Sequence, residues 1–267
     1  MVRLSKRKIN AIQSIFTFKE SKKVKKLFGK ADIIIANNVF NHSDKPLDFL
    51  EGVKNLLKKD AIFIFEQPNF TKGVLSLKFD QIYHEHISYF TVRNIKSLLK
   101  HSGLKMISIN KNGYHGGSLR TIATNSNSKL KEFNAKKLID FENKKKIYSH
   151  KFYKDMMKKI NIKKIDLLDK LIKLTQNGYL ISGIGAGAKS NTFLTFYGLN
   201  NIIIKFLTDS SKFKKNKYTP MTRIIIKDDK ELSKYKKIAC LILSWNISGI
   251  IVNKIKKINK NIKFIKT

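Results

Sequence analysis

An α/β fold, with two open sheets joined by a helical segment, is what the sequence predicts. Short β-branched and aromatic runs alternate with stretches of helical period. A stretch without glycine or proline, from about residue 130 to 177, divides the chain, and the alternation begins again behind a glycine-rich turn.

Residues 31–36 (ADIIIA) read as a buried strand from their β-branched content. Residues 46–57 follow as a helix, with Pro46 at its start and Leu47, Phe49, Leu50, Val53, Leu56 and Leu57 at helical spacing. Residues 61–65 (AIFIF) are a second strand, 91–101 a helix closed by Gly103, and 104–109 and 118–124 two further strands. The first domain therefore spans 1–125. Residues 126–177 are highly charged and form a pair of connecting helices. The last domain, 178–267, opens with a strand at 179–182, a turn at 183–189 and a helix from Ser190 to Tyr197. Strands at 202–207, 238–243 and 262–265 and a helix at 247–258 complete it.

The 267 residues carry 55 Lys and Arg against 19 Asp and Glu, a formal charge of +36. A polyanionic partner is one explanation. The composition favours another. Arg3, Arg7, Arg93, Arg120 and Arg223 are the only arginines, so nearly all the cations are lysine, spread along the whole chain. Base-reading proteins use arginine forks, so a nucleic-acid partner is not expected. The apolar runs are far shorter than the roughly 18 residues of a spanning helix, and no export signal is visible, so no membrane partner is expected and a cytoplasmic setting is. With the one cysteine, Cys240, neither a disulfide nor an all-cysteine zinc site can form within the chain.

The densest polar cluster is Tyr83-His84-Glu85-His86, a short way past the second strand, where open α/β sheets place their ligands. Imidazole moves protons near neutral pH, and a neighbouring carboxylate can orient it and stabilise its cation. In an extended segment Tyr83 and Glu85 would face one way and His84 and His86 the other. Metal binding is the competing chemistry, but the spacing is not that of a helical zinc motif. His42 lies just past the end of the first strand, so it and His86 are expected at one sheet edge. In Tyr114-His115-Gly116-Gly117-Ser118-Leu119-Arg120, the glycine pair permits close backbone approach to a ligand, and Arg120 suits a phosphate; a plain turn into a strand would also explain it. Gly183-Ile184-Gly185-Ala186-Gly187-Ala188-Lys189 joins a strand to a helix N-terminus, as a phosphate cradle does, with Lys189 at its end and Asp209 past the next strand.

Six segments carry a resemblance: ADIIIANNVFNH (31–42), FEQP (65–68), FDQIYHEHISYF (79–90), HGGSLR (115–120), GIGAGAKSN (183–191) and LSWN (243–246). In this order they resemble the S-adenosylmethionine-dependent C-methyltransferases of nucleotide-linked keto-deoxysugars. The resemblance implies methyl transfer to C3 of a nucleotide-diphospho 4-keto-6-deoxysugar, with His86 as the base that removes the C3 proton. Tyr83, Glu85 and His42 would orient the sugar and stabilise the enolate. Asn37 and Asn38 would contact the cofactor S-adenosylmethionine, and His115, Gly116, Ser118, Arg120, Gly185, Lys189 and Asp209 the substrate.

The same resemblance implies a Rossmann-like methyltransferase sheet, a helical linker and a second, smaller Rossmann-like α/β domain. The family's cysteine cluster, glycine-rich cofactor loop and acidic ribose residue are not found here, and no glycine precedes Gly29. The methyltransferase sheet is therefore expected to be incomplete, lacking its first two strands and the zinc-binding domain, and to leave strand 31–36 with an open apolar edge. A separate polypeptide would supply the missing part, or the chain would be an inactive fragment that binds a nucleotide sugar only. No zinc is expected, and the chain by itself should bind S-adenosylmethionine poorly.

Overall fold

The computed structural model describes residues 10–113 and 116–266 and has the expected α/β class. The chain divides into two compact units. One comprises Met1–Gln67, Phe90–Lys111 and Leu119–Asp140, the other Pro68–Tyr89, Asn112–Ser118 and Phe141–Thr267.

In the first unit, helix α1 (Phe18–Phe28) starts at Thr17, whose hydroxyl accepts the Glu20 N–H. Strand β1 (Ala31–Asn37) follows, then helix α2 (Pro46–Leu56), which runs directly into strand β2 (Leu57–Pro68). Helix α4 (Val92–His101) is capped by the Thr91 hydroxyl and followed by strands β3 (Leu104–Asn112) and β4 (Ser118–Asn125). The intervening helix α3 (Phe70–Leu75) belongs to the other unit. The sheet order is β1-β2-β4-β3, with β1 and β2 parallel and Asn37 opposite Glu66. Among the described residues β1 is an edge strand, and its Ile33 and Ile35 are 56% and 64% exposed, an apolar edge of the kind that invites pairing with another strand.

Five phenylalanines fill this core: Phe40, Phe49, Phe63, Phe65 and Phe90. Phe40 is fully buried and stacks on Phe90 at 4.7 Å, with Phe65 edge-on at 5.3 Å. It anchors the one-turn 3-10 helix Phe40–His42 just past β1. The position of His42 is thus set by an aromatic residue two places before it.

In the second unit, helices α5 (Ala135–Lys144, which begins in the first unit) and α6 (His150–Gln176) precede strand β5 (Leu180–Ile184). Helix α7 (Ala188–Tyr197), strands β6 (Leu207–Thr208), β7 (Ile226–Lys227) and β8 (Ile238–Ile242), helix α8 (Ser248–Lys256) and strand β9 (Lys263–Lys266) follow. The sheet order is β7-β6-β5-β8-β9, parallel throughout. Strand β8 is completely buried, as a central parallel strand with covered faces must be.

One expected strand is corrected. Residues 202–207 are apolar except for Lys205, yet only Leu207 and Thr208 are assigned to the strand. Ile204 and Phe206 are buried at 0% and 2% exposure, and the approach to the strand bonds β5 through the Lys205 N–H on the Ile181 carbonyl and the Gly183 N–H on the Phe206 carbonyl. Burial alone explains their hydrophobicity. Helices α1 and α3 and strand β7 were not expected from the sequence.

Candidate functional site

The YHEH segment is not extended, contrary to the alternation considered from sequence. A turn closes with the His86 N–H donating to the Tyr83 carbonyl at 2.9 Å. The turn brings Tyr83 onto His86, with ring centroids 4.3 Å apart, and turns His84 and Glu85 outward. His84 Nε2 lies 3.9 Å from Glu85 Oε1, both well exposed.

The His86 ring is held at both nitrogens. Nδ1 is 3.0 Å from the Gln81 carbonyl oxygen, and Nε2 is 3.0 Å from the Tyr83 hydroxyl. A carbonyl only accepts, so Nδ1 carries the hydrogen in the neutral ring. Nε2 then holds the lone pair, which the Tyr83 O–H approaches as donor. Burial pushes the Tyr83 phenol above its ordinary value, with the Glu85 and Tyr89 charges adding to it, so it stays protonated. Tyr89 packs edge-on to the imidazole at 6.4 Å. The arrangement leaves one basic nitrogen facing one phenolic donor, the pairing that carbon-acid chemistry requires.

The 3-10 turn Phe79–Gln81, which supplies the Gln81 carbonyl, is anchored twice. Phe79 packs on Phe196 and Tyr197 of α7, at 4.5 and 6.1 Å. Asp80, only 3% exposed, accepts the Trp245 indole N–H at 2.5 Å. Burial raises the Asp80 carboxyl above its ordinary value, opposed by the indole bond and by Lys78 and Lys189.

The glycine-rich turn after β5 belongs to the same unit. Gly185 has φ +97°, and an added Cβ would lie 2.1 Å from the Ser244 Oγ, so only glycine fits. Gly187 is the N-cap of α7, and its N–H donates to Ser190 Oγ at 3.3 Å. Lys189 stands in the first turn of that helix with its Nζ over the Trp245 ring at 5.1 Å. Burial lowers its ammonium below the ordinary lysine value, against the pull of Asp80.

Asp209 braces the turn from inside. Oδ2 accepts the Ala186 N–H at 2.9 Å, Oδ1 accepts the Ser211 N–H at 2.9 Å, and Lys214 Nζ lies 3.1 Å away. Burial opposes its charge, but these partners outweigh it and hold the carboxyl below its ordinary value. The anion therefore contributes stability above the usual carboxylate range, and that contribution is lost as pH falls through and below it. The urea midpoints of wild type and Asp209→Asn are expected to differ at neutral pH and to converge by about pH 2. A gap that stays constant with pH would show that the brace does not depend on charge.

Arg120 does not stand apart from the protein's own carboxylates. Its Nε and Nη2 both reach Glu66 Oε2 at 2.9 Å, although its side chain stays 54% exposed. This pair lies in the first unit, whereas Gly116 and Ser118 belong to the second. Ser118 is buried, and Gly116 has φ +87°. His115 lies outside the described residues.

At the strand ends of the first unit, Asn37 and Asn38 are exposed, and Asn38 has φ +52° with its N–H donating to the Glu66 carbonyl at 2.7 Å. His42 is exposed in the turn that follows. The side-chain amides of Asn41 and Gln67 are buried, at 2% and 0% exposure, and find no hydrogen-bond partner among the described residues. An orphaned buried amide costs about 1–3 kcal/mol.

Sequence reasoning gave no role to Gln81, Asp80, Tyr89, Lys78 or Trp245. All but Lys78 lie inside segments it singled out, but the Gln81 contact runs through its carbonyl and the Asp80–Trp245 bond joins residues 165 apart, so no spacing announces them. Cys240 is fully buried and its thiol is pushed up to about 12, so it is no nucleophile. Among the described residues there is no group of three or more His, Cys, Asp or Glu placed to hold a metal, and no helix long and apolar enough to cross a membrane. An apolar groove of about 490 Å³, lined by Leu168, Ile172, Tyr179 and Ile202, opens at the start of β5, the opposite end of that strand from the glycine-rich turn.

Residues 113–267 match the family described as the C-methyltransferase C-terminal domain, and residues 3–109 match a methyltransferase domain. The chain is 24% identical over 257 residues to the C-methyltransferase NovU of Streptomyces niveus, an alignment covering 96% of this chain and 61% of NovU. The chain thus spans less than two thirds of that relative's length. Two solved structures overlap it less fully. The 1,6-didemethyltoxoflavin-N1-methyltransferase of Burkholderia thailandensis, with its bound S-adenosylhomocysteine, has a TM-score of 0.29 and 17% identity over 36% of this chain and 44% of that one. The magnesium protoporphyrin IX methyltransferase of Synechocystis PCC 6803, with bound SAH, has a TM-score of 0.30 and 18% identity over 36% and 46%. With more than half its length matching the C-terminal domain, the chain belongs to the C-methyltransferase family.

Proposed function

We propose that the protein serves C-methylation at C3 of a nucleotide-linked 4-keto-6-deoxysugar, with S-adenosylmethionine as methyl donor and His86 as the base. The carrying observation is the fixed imidazole, with Nδ1–H on the Gln81 carbonyl and the Nε2 lone pair presented beside the Tyr83 hydroxyl. Nε2 takes the proton from the carbon next to the ketone. The C–H electron pair moves into the carbonyl, giving an enolate, and the proton stays on Nε2. The Tyr83 O–H, turned from Nε2 to the oxyanion, stabilises the new charge. Glu85, adjacent in the turn, lowers the cost of the resulting imidazolium. His42 orients the sugar.

The residues at the end of β1 suit the cofactor. Asn37 and Asn38 offer exposed amides, and the orphaned amides of Asn41 and Gln67 mark that strand end as a place short of polar partners. There S-adenosylmethionine would supply an electrophilic methyl group. The sugar's diphosphate suits the turn Gly185–Lys189, which leads into the N-terminus of α7 and carries Lys189 in that helix's first turn. Asp209 serves the substrate by holding that turn in shape. His115, Gly116, Ser118 and Arg120 complete the proposed substrate contacts. A reducing, cytoplasmic setting fits a chain whose one thiol is buried.

The test is solvent exchange. The full chain is incubated in D2O with a thymidine-diphospho-4-keto-6-deoxysugar, and deuterium at C3 is followed by NMR. A second sample contains labelled S-adenosylmethionine, and label on the sugar reads methyl transfer separately from exchange. Exchange without the cofactor supports the base assignment. A ligand that stabilises the chain thermally yet shows neither exchange nor transfer would favour a protein that only binds the nucleotide sugar.

A further inference from the structure

We propose that Asp80 and Trp245 are positioning residues that fix the tautomer of the His86 imidazole. The inference rests on the reading of His86 as base only for its catalytic consequence; its geometry stands by itself.

Three of the motifs in the second unit meet at the Trp245 indole. Its N–H donates to Asp80 of the FDQIYHEH segment at 2.5 Å. Lys189, at the end of the glycine-rich turn, lies over its ring at 5.1 Å, and Lys78 lies over it at 4.8 Å. Gly116 leaves room for the ring edge, since a Cβ there would sit 2.4 Å from Trp245 Cζ3. The partners Asp80 and Trp245 are 165 residues apart in the chain. A carboxylate with 3% exposure is expensive to bury, and only a specific task or a full set of partners makes it tolerable.

The task follows from the next residue. Asp80 is bonded through the backbone to Gln81, whose carbonyl accepts the His86 Nδ1–H. Phe79 seats one side of this 3-10 turn on α7, and the indole–carboxylate bond fixes the other. With both anchors in place the carbonyl is held where it selects the Nδ1–H tautomer and leaves Nε2 basic. Without the Trp245 bond the turn keeps the Ile82 N–H to Phe79 carbonyl bond and the Tyr89 hydroxyl on the Gln81 carbonyl but loses its long-range anchor, and the carbonyl imposes that choice less firmly.

Imidazole 15N NMR of the full chain reads the tautomer directly, with the His86 signals assigned by their loss in His86→Gln. Above its titration, wild-type His86 is expected in the Nδ1–H form. Trp245→Phe keeps the aromatic ring but removes the donor, and Asp80→Ala removes the acceptor. Each is expected to lower the ratio of Nδ1–H to Nε2–H about tenfold, the scale of the one neutral hydrogen bond between Nδ1–H and the Gln81 carbonyl. The double variant should lower it no further, because both changes break the same bond. Asp80→Asn still offers an oxygen to the indole and should restore most of the wild-type ratio.

A wild-type ratio in both Trp245→Phe and Asp80→Ala, or additive losses in the double variant, would overturn the proposal. The two single variants approach the bond from separate elements, so a folding defect in one leaves the other decisive. The base reading is judged separately. If the tautomer shifts as expected while His86→Gln still exchanges the sugar's C3 proton, the positioning stands and the base assignment fails.

Discussion

His86→Gln is expected to suppress deuterium exchange at the carbon beside the ketone by about 10²- to 10⁴-fold, the contribution of a placed general base. Glutamine occupies similar volume and keeps a hydrogen-bonding end, so the Tyr83 and Gln81 contacts are disturbed as little as any substitution allows. What disappears is the imidazole lone pair that would accept the proton. Sugar binding should change much less, because the groups assigned to the diphosphate lie on the turn Gly185–Lys189. Exchange measured by NMR and sugar binding measured by calorimetry together separate the two effects. A loss of under tenfold, with binding intact, would remove His86 from the role of base. His42→Ala should cost less than His86→Gln in the same assay, since an orienting group contributes position and not a proton acceptor.

Gly185→Ala is expected to have the second large effect, on stability first and on ligand binding through it. The backbone at φ +97° is one that L side chains rarely adopt, and the added carbon would lie 2.1 Å from Ser244 Oγ, 3.0 Å from its Cβ and 3.2 Å from its backbone nitrogen. The serine hydroxyl can turn away; its backbone cannot, because it follows the buried strand β8. Strain of about 1–2 kcal/mol from the backbone adds to about 1–3 kcal/mol from overpacking. A loss of about 3 kcal/mol lowers the melting temperature of a chain this size by roughly 6–12 °C. Gly187→Ala is the control. Nothing lies within 4 Å of its added carbon, and a poorer N-cap should cost only about 1 kcal/mol. Equal melting temperatures for the two variants would refute the packing account of the turn.

Much of the architecture was legible because hydrophobic period follows burial. The runs around Ile33–Ile35, Phe63–Phe65 and Ile238–Ile242 are strands, and the Pro46 and Thr91 signals start helices. The reading of 202–207 as strand failed for the same physical reason that the others succeeded. Burial selects apolar residues whether or not their backbone is regular strand, and Ile204 is fully buried in the connection before the two-residue β6. Helix α1 went unnoticed because most of its residues are lysine or otherwise polar, and what ties it to α2 includes the long-range bond from the Asn55 amide to the Ser21 hydroxyl at 3.0 Å.

The candidate site shows the same division. Residue type and order alone singled out Tyr83, His86, Gly185, Lys189 and Asp209, since proton transfer and phosphate binding each demand particular side chains. The conformation of the YHEH segment was not legible, because a four-residue turn and an extended strand make similar demands on composition. Arg120 has chemistry that suits a phosphate, but Glu66 on the neighbouring strand takes part of its guanidinium.

The amino-acid order by itself determined the α/β class, the positions of most elements and the polar cluster Tyr83–His86 in which the proposed base lies. These are properties of local period and side-chain chemistry, which a linear chain carries openly. Only the tertiary structure decided which groups meet the His86 imidazole at each nitrogen and what anchors the turn that carries one of them. They are a carbonyl at Gln81, a hydroxyl at Tyr83 and an indole 165 residues away from the carboxylate it holds. Hydrogen bonds act over about 3 Å, so they exist only once folding has brought such distant residues together.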